Sequence, residues 1–315
     1  MLARFTQRIA ILMLTVIATS SAVFALIHAA GDPTQGFMAP GASPEARAAV
    51  RERLGLDEPI VWQYLTFIGR GLRGDFGDSW RDRQPALNAV LDRLPATLEL
   101  TLVAIVMAVV VGSLLAFVAV SLRSRGARRL VNLVGLIGQA IPGFWLGTLL
   151  ILIFAVRLRW LPASGSDGVA AMILPAITLA AYPASMISRL LQTGLLEASA
   201  QPYARTARAK GVRETFVMLR HALPNALVPA LGFVGVQLGF LVGGTVVTES
   251  VFAYPGIGRL ALQAASERDL PVVHAFAVIV AIAIVGIGIV IDLITALIDP
   301  RLRETPSAGR TVRVG

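Results

Sequence analysis

Residues 97–122 read TLELTLVAIVMAVVVGSLLAFVAVSL, and after Glu99 this run carries no formal charge until Arg123. About twenty apolar residues is the length that an α-helix needs to cross the hydrocarbon core of a bilayer. The strands of a membrane β-barrel would instead be about ten residues long and alternate in character. The run therefore predicts a transmembrane helix.

Comparable apolar runs recur along the chain. Hydrophobic residues make up 56% of the sequence and charged residues 15%, whereas about a quarter of the residues in a soluble domain are charged. The six predicted spans are residues 9–30, 97–122, 130–156, 169–191, 226–248 and 271–295. The first run is longer than the ~7–15 apolar residues of a typical signal peptide, so we expect a retained span. The predicted fold class is an all-α polytopic membrane protein.

Arginines mark one side of the predicted bundle. The two termini and the loops 123–129 and 189–225 hold most of them, whereas the loops 157–168 and 249–270 hold few. Cytoplasmic loops collect Lys and Arg, and a loop as long as 31–96 is exempt from that rule. Both termini are thus predicted to be cytoplasmic. The net charge of +9 reflects this orientation, and we expect no nucleic-acid partner.

This topology divides the chain into four parts. They are residues 1–30 (N-terminal tail and first span), 31–96 (extracytoplasmic loop), 97–300 (transmembrane core, with a cytoplasmic loop at 197–225) and 301–315 (cytoplasmic tail). In the outer loop, Ser43 and Pro44 predict the start of a helix that ends near Gly55. Residues 61–72 predict an interfacial helix, and a further helix is expected after Pro85. This outer part either contacts a partner or only packs on the bundle.

Residue content argues against several kinds of chemistry. The chain has no cysteine, which excludes disulfides and thiolate ligands. Lys210 is its only lysine and stands between Ala209 and Gly211, so no G-x-x-x-x-G-K-[ST] phosphate loop exists. The histidines have no HExxH spacing, and we interpret His28 and His274 as polar residues near the membrane interface. We predict no catalytic residue, no metal site and no cofactor bound by this chain.

Few polar side chains in the spans suit a transport path. Glu99 and Asp292 lie near span ends rather than at the midplane, where a proton-coupled carrier keeps its ionisable groups. Asn132, Gln139 and Gln237 could line a polar path, or they could equally well hydrogen-bond between helices. Both interpretations stay open.

The block from Tyr203 to Pro229, YARTARAKGVRETFVMLRHALPNALVP, lies between two predicted spans. In a helix over 203–210, Ala204, Ala207 and Gly211 share one face that is almost bare of side-chain atoms. Gly211 is suited to end that helix at the C′ position. We interpret the bare face as a surface that another protein can approach closely.

Other features of this block support a docking role. Arg205 and Arg208 stand off another side of the helix as charge-assisted donors. A second apolar helix follows and is interrupted by Pro224. The alternative is a solvated, positively charged loop, but a loop of this length with so much helical patterning is uncommon as a plain connector.

The block resembles the cytoplasmic E-A-A-x3-G-x9-I-x-L-P motif of inner-membrane permease subunits in binding-protein-dependent ABC importers. The matching residues are Ala207, Gly211, Leu223 and Pro224, and the departures are Arg205, Thr206 and His221, which stand in the places of Glu, Ala and Ile. These departures are similar to the dipeptide, oligopeptide and nickel branch of the family. Further segments resemble that branch in the same order: HAAGDP (28–33), LGLDEP (54–59), GDFG (74–77), IPGFW (141–145), LPASG (161–165), GGTVVTESVFAYPGIGRL (243–260) and DPRLR (299–303).

The resemblance implies a six-span MetI-like fold of the type I importers, with N-in and C-in termini and a cytoplasmic coupling helix, in the inner membrane of a bacterium. It implies a second homologous permease, two ATPase subunits that bind ATP and Mg²⁺, and an extracytoplasmic peptide-binding protein, with membrane lipid around the spans. The residues implied in ATPase docking are Tyr203, Ala204, Arg205, Thr206, Ala207, Arg208, Ala209, Lys210, Gly211, His221, Leu223 and Pro224.

The substrate class that the resemblance implies is di- and oligopeptides. Nickel, glutathione or another small solute is the alternative within the same architecture. From a different class, an ATP-independent carrier predicts inverted repeats or broken helices with midplane charges, neither of which the sequence clearly shows. A membrane-embedded enzyme is disfavoured by the lack of a nucleophile–base motif.

Overall fold

The computed structural model describes residues 2–29, 43–53, 57–122 and 125–298. Its helices are α1 (Leu2–Ala29), α2 (Pro44–Arg53), α3 (Ile60–Leu72), α4 (Ala86–Leu91), α5 (Leu94–Ser121), α6 (Arg125–Ala140), α7 (Gly143–Leu150), α8 (Val169–Ala200), α9 (Pro202–Ala209), α10 (Glu214–Phe216), α11 (Leu223–Gly244), α12 (Val246–Val251), α13 (Ile257–Ser266) and α14 (Leu270–Ile298). Two π-helical segments, Ile151–Arg157 and Val217–Ala222, follow α7 and α10. The predicted all-α class is confirmed, and the predicted tail 301–315 and helix end at Gly55 lie outside the described residues.

Among the residues that the structure describes, five helices are long and apolar enough to cross a membrane. The candidate spans are Ile9–Leu26, Ala86–Ser121, Val169–Ala200, Leu223–Gly244 and Leu270–Ile291. They confirm five of the six predicted spans. The fourth predicted span is longer than expected, because α8 continues from residue 191 to Ala200 with Pro175 and Pro183 inside it.

The third predicted span is not one straight helix. Arg128–Ala140 and Gly143–Arg157 together have the length and hydropathy of a span, but they meet at an angle of 106°. The break falls at Pro142, which has no N–H to donate and whose ring conflicts with the preceding helical turn. The predicted span 130–156 is therefore a bent pair of helices, which makes a sixth span if the two halves cross the membrane together.

α8 lies at the centre of the bundle, where glycines allow close contacts. A Cβ added to Gly112 of α5 would lie 2.6 Å from the backbone oxygen of Ala184, and one added to Gly194 of α8 would lie 2.9 Å from the Cα of Ala226 in α11. Small residues at such contacts let membrane helices pack through van der Waals attraction, since burial from lipid supplies little drive. Large apolar side chains on the other side of α5 are exposed: Leu102, Val106, Val110 and Leu114.

The segments that precede α5 pack on the first and last spans. Ser20 of α1 shares a hydrogen bond with His274 of α14 at 2.9 Å, and Phe67 of α3 stacks on the His274 ring with centroids 4.2 Å apart. The Ser79 hydroxyl donates to the carboxylate of Asp269. His274 is thus buried within the chain, near the start of α14. The helices predicted to start at Pro44, to cover 61–72 and to follow Pro85 are observed as α2, α3 and α4.

One fully buried carboxylate holds the segment between α11 and α14. Glu249 of α12 is 0% exposed. It accepts hydrogen bonds from the hydroxyl of Thr97 at 2.7 Å and from the backbone N–H of Arg259 at 2.9 Å. The first turn of α13 thereby gains a negative partner for its free N–H groups. Gly256 makes room for this carboxylate, because a Cβ there would lie 2.2 Å from Oε1.

Candidate functional site

The first helix of the block 203–229 ends as its sequence predicts. α9 begins with Pro202 at its N-terminus and ends at Ala209, with Lys210 as its C-cap. Gly211 has φ +78°, a left-handed conformation that glycine adopts without a Cβ penalty. Its N–H donates to the carbonyl of Arg208 at 2.9 Å, and the N–H of Val212 donates to the carbonyl of Ala207 at 3.2 Å. These two bonds form a Schellman motif.

The two alanines of the small-residue face of α9 are covered by the chain itself, whereas Gly211 is exposed. Ala204 is 0% and Ala207 is 9% exposed, and both pack with Val217 and the half-buried Val212. The expectation that this face stays bare for another protein is therefore corrected. Small side chains do permit a close approach here, but the approaching surface is the segment that follows α10.

The opposite side of α9 is exposed. We call this side the outward face of α9, and its exposed residues are Tyr203, Arg205, Thr206, Ala209 and Lys210. Leu219 of the following segment is also exposed, at 55%. Within the outward face, an exposed tyrosine accompanies the cationic Arg205 and Lys210, a combination suited to protein contact.

Arg208 holds the block together instead of pointing to a partner. Its guanidinium donates to both oxygens of Glu214, at 2.8 and 2.7 Å, and to the backbone carbonyl of Ser199 at 2.8 Å. Hydrogen bonding to Arg208 lowers the pKa of Glu214, and hydrogen bonding to Glu214 raises the pKa of Arg208. The end of α8, α9 and α10 are thereby joined. The prediction that Arg208 is an outward donor was wrong, while Arg205 is exposed as expected.

The block is also packed firmly on the bundle. Met218 and Ala222 lie in one buried cluster with Leu195 and Ala198 of α8. Leu223 packs against the same cluster, and Pro224 lies exposed in the first turn of α11. The side chain of His221 is outside those described. These contacts fix the block, including α9, against the end of α8.

A polar cleft lies between α6 and α8. Its volume is about 370 Å³. The lining residues are Val131, Asn132, Gly135, Leu136, Gln139, Ser185, Ser188, Arg189, Gln192, Thr193 and Leu196. The amide of Gln139 donates to the sulfur of Met186 at 3.4 Å, and the amide of Gln192 donates to the hydroxyl of Ser188 at 3.0 Å.

The structure brings together two of the three candidate path residues. Asn132 and Gln139 line the cleft, whereas Gln237 lies on α11 and is not among the lining residues. Ser188, Arg189 and Gln192 also line the cleft and were not predicted from the sequence. Their spacing on α8 was a usable signal, because residues three or four apart share a helix face.

The sequence matches a family described as "Binding-protein-dependent transport system inner membrane component" over residues 101–304, and the N-terminal domain of such membrane components over residues 1–101. It is 38% identical to the "Glutathione transport system permease protein GsiC" of Escherichia coli (strain K12) over 298 residues, 94% of this chain and 97% of that protein. The protein of the same name in Salmonella typhimurium (strain LT2) is also 38% identical, with the same coverage.

Two solved structures share the fold. An inward-facing form of the MetNI methionine ABC transporter aligns with a TM-score of 0.58 at 20% identity, over 66% of this chain and 95% of that chain. An amino acid ABC transporter solved with histidines aligns with a TM-score of 0.52 at 17% identity, over 66% of this chain and 92% of that chain. At these identities the likeness concerns the fold alone, and it confirms the MetI-like architecture.

Proposed function

The chain belongs to the inner-membrane permease family of binding-protein-dependent ABC importers, and from this premise we propose that it forms half of a path for small peptides across the cytoplasmic membrane of a bacterium. A second homologous permease supplies the other half. Two ATPase subunits bind ATP and Mg²⁺, and an extracytoplasmic binding protein delivers the solute. This permease is not itself an enzyme.

The outward face of α9 is the surface that we assign to the ATPase. Tyr203, Arg205 and Thr206 are exposed there, while Ala204 and Ala207 are buried inside the chain. This difference in exposure between the two sides of α9 is the main support for assigning the outward face to the ATPase. Under this proposal α9 is the coupling helix that the motif predicts, and its alanines fix the helix on its own chain.

The contacts of α9 with its own chain allow a force on α9 to reach the membrane-spanning helices. Arg208 ties α9 to the carbonyl of Ser199 at the end of α8, and α8 runs without interruption from Val169 to Ala200. A push on the outward face therefore acts on a helix that spans the bundle. Movement of α8 relative to α6 changes the width of the polar cleft between them.

We propose di- and oligopeptides as the transported solutes. Glutathione is equally well supported, because the relatives that the sequence matches are named for its transport. Both are amide-containing molecules with free carboxylates. Nickel requires a different chemistry, and Arg189 in the cleft would repel a metal cation.

An ATP-independent carrier predicts broken helices with midplane charges. The structure does contain a broken helix at Pro142. However, residues 130–156 include no Asp, Glu, Lys or Arg, so the break brings no charge to the midplane. The broken helix alone does not favour a carrier over a permease.

Uptake measurements test this proposal. Cells with and without the gene are given labelled dipeptide, labelled glutathione and nickel in separate assays. We expect ATP-dependent uptake of a peptide or of glutathione only in cells with the gene. Uptake of nickel alone, or peptide uptake that persists when the partner ATPases carry inactivated phosphate loops, would contradict it.

A further inference from the structure

The cleft between α6 and α8 contains the chemistry of a peptide-binding surface. It extends along α6 from Gln139 to Val131, about 12 Å at a rise of about 1.5 Å per residue. On α8 it extends from Ser185 to Leu196, toward the end at which α9 begins. The cleft thus leads from the middle of the bundle toward the block that we assign to the ATPase.

Three amide side chains line this cleft: Asn132, Gln139 and Gln192. Each carries a carbonyl acceptor and an NH₂ donor. A peptide group presents the complementary pair, one N–H and one C=O, whatever the side chains of the peptide are. Side-chain amides therefore suit a surface that contacts peptides without reading their sequence.

Arg189 adds a single full charge to this neutral lining. It is the one charged residue among those that line the cleft, and its side chain is exposed. Its guanidinium can hold a carboxylate through two parallel hydrogen bonds. Arg208 offers a contrast, because its guanidinium is already paired with Glu214.

We propose that this cleft is a contact site for a small peptide with a free carboxylate during translocation, with Arg189 binding the carboxylate and the three amides binding the peptide groups. The inference rests on the proposed function and adds the residues that meet the solute. It also predicts that peptides whose carboxylate is blocked are transported poorly even after the binding protein has captured them.

The experiment uses the complete importer in proteoliposomes, with the binding protein saturated. Arg189→Gln is compared with Arg129→Gln, which removes an exposed arginine from α6 outside the cleft. Each importer is tested with a dipeptide as its free acid and as its C-terminal amide. We expect the wild type and Arg129→Gln to transport the free acid about tenfold faster than the amide, because a charge-assisted hydrogen bond is lost with the amide. Arg189→Gln should transport both at the slow rate, while ATP hydrolysis stimulated by the binding protein persists.

The outcomes separate the possible sources of the effect. If Arg189→Gln keeps the preference for the free acid, the assignment of Arg189 is overturned. If the wild type transports no peptide at all, the proposed function fails instead. Vesicles without anionic lipid provide the other control: the wild type should keep its preference for the free acid there, and a preference that requires anionic lipid would reject the proposal. Replacement by lysine should restore only part of the preference, because lysine lacks the planar fork.

Discussion

The guanidinium of Arg208 donates two hydrogen bonds to the carboxylate of Glu214, at 2.8 and 2.7 Å, and a third to the backbone carbonyl of Ser199. This arrangement links the end of α8 to α9 and α10. It explains how the short helix α9 is held in a fixed orientation on the long helix α8. The link is the part of the block 203–229 most easily tested by removing one charge.

Glu214→Gln should weaken the coupling of ATP hydrolysis to transport. The pair is exposed, so we expect a loss of stability below about 1 kcal/mol, but a larger fall in solute moved per ATP because α9 is held less firmly. Glu197→Gln, at another exposed acid on α8, is the matched control and should behave as wild type. Equal transport per ATP in all three importers would contradict the role of the link.

The same pair predicts a pH dependence. Hydrogen bonding to Arg208 lowers the pKa of Glu214 in the folded protein. The stabilisation is therefore complete above the ordinary carboxyl pKa and is lost as the pH falls through the lowered one. Thermal unfolding of wild type and Glu214→Gln should differ near neutral pH and converge in acid. A difference that grows in acid would have the wrong sign.

Gly211→Ala should destabilise the end of α9. The φ of +78° disfavours a residue with a Cβ by about 1–2 kcal/mol, while nothing lies within 4 Å of a Cβ placed there. The strain thus comes from the backbone alone, and Gly211→Asn should be tolerated better. Limited proteolysis of the block is a direct measurement. Gly232→Ala, in α11 with equal space, is the control and should not increase cleavage.

Glu249→Ala should lower the stability of the segment between α11 and α14. The change leaves the Thr97 hydroxyl and the Arg259 N–H without their acceptor in a buried site, at a cost of about 1–3 kcal/mol for each group. Glu99→Ala, at an exposed acid on α5, should have little effect. The amount of folded permease in the membrane and its thermal unfolding in detergent measure the difference. Similar values for the two variants would contradict the buried role of Glu249.

The sequence predicted those features that depend on local chemistry. Charge-free length identified the spans, and glycine at residue 211 identified the end of α9. The break at Pro142 was not predicted, because the apolar content of residues 130–156 carries no information on the direction of the helix axis.

Contacts between segments that are distant in the sequence could not be predicted from local patterns. Helical spacing grouped Ala204 with Ala207, but it could not say that Val217 covers them. The cleft was also missed, since its amides and Arg189 come from α6 and α8, which meet only in the folded bundle.

The most direct test of the account asks which side of α9 meets the ATPase. The chain has no cysteine, so Thr206→Cys and Ala207→Cys each create a unique thiol, one on the outward face and one on the buried face. A cysteine is placed at successive positions of the groove in the partner ATPase, and disulfide yield is measured with and without ATP. The account predicts an ATP-sensitive crosslink for Thr206→Cys and little for Ala207→Cys. A crosslink that forms at Ala207→Cys but at no groove position for Thr206→Cys would contradict it.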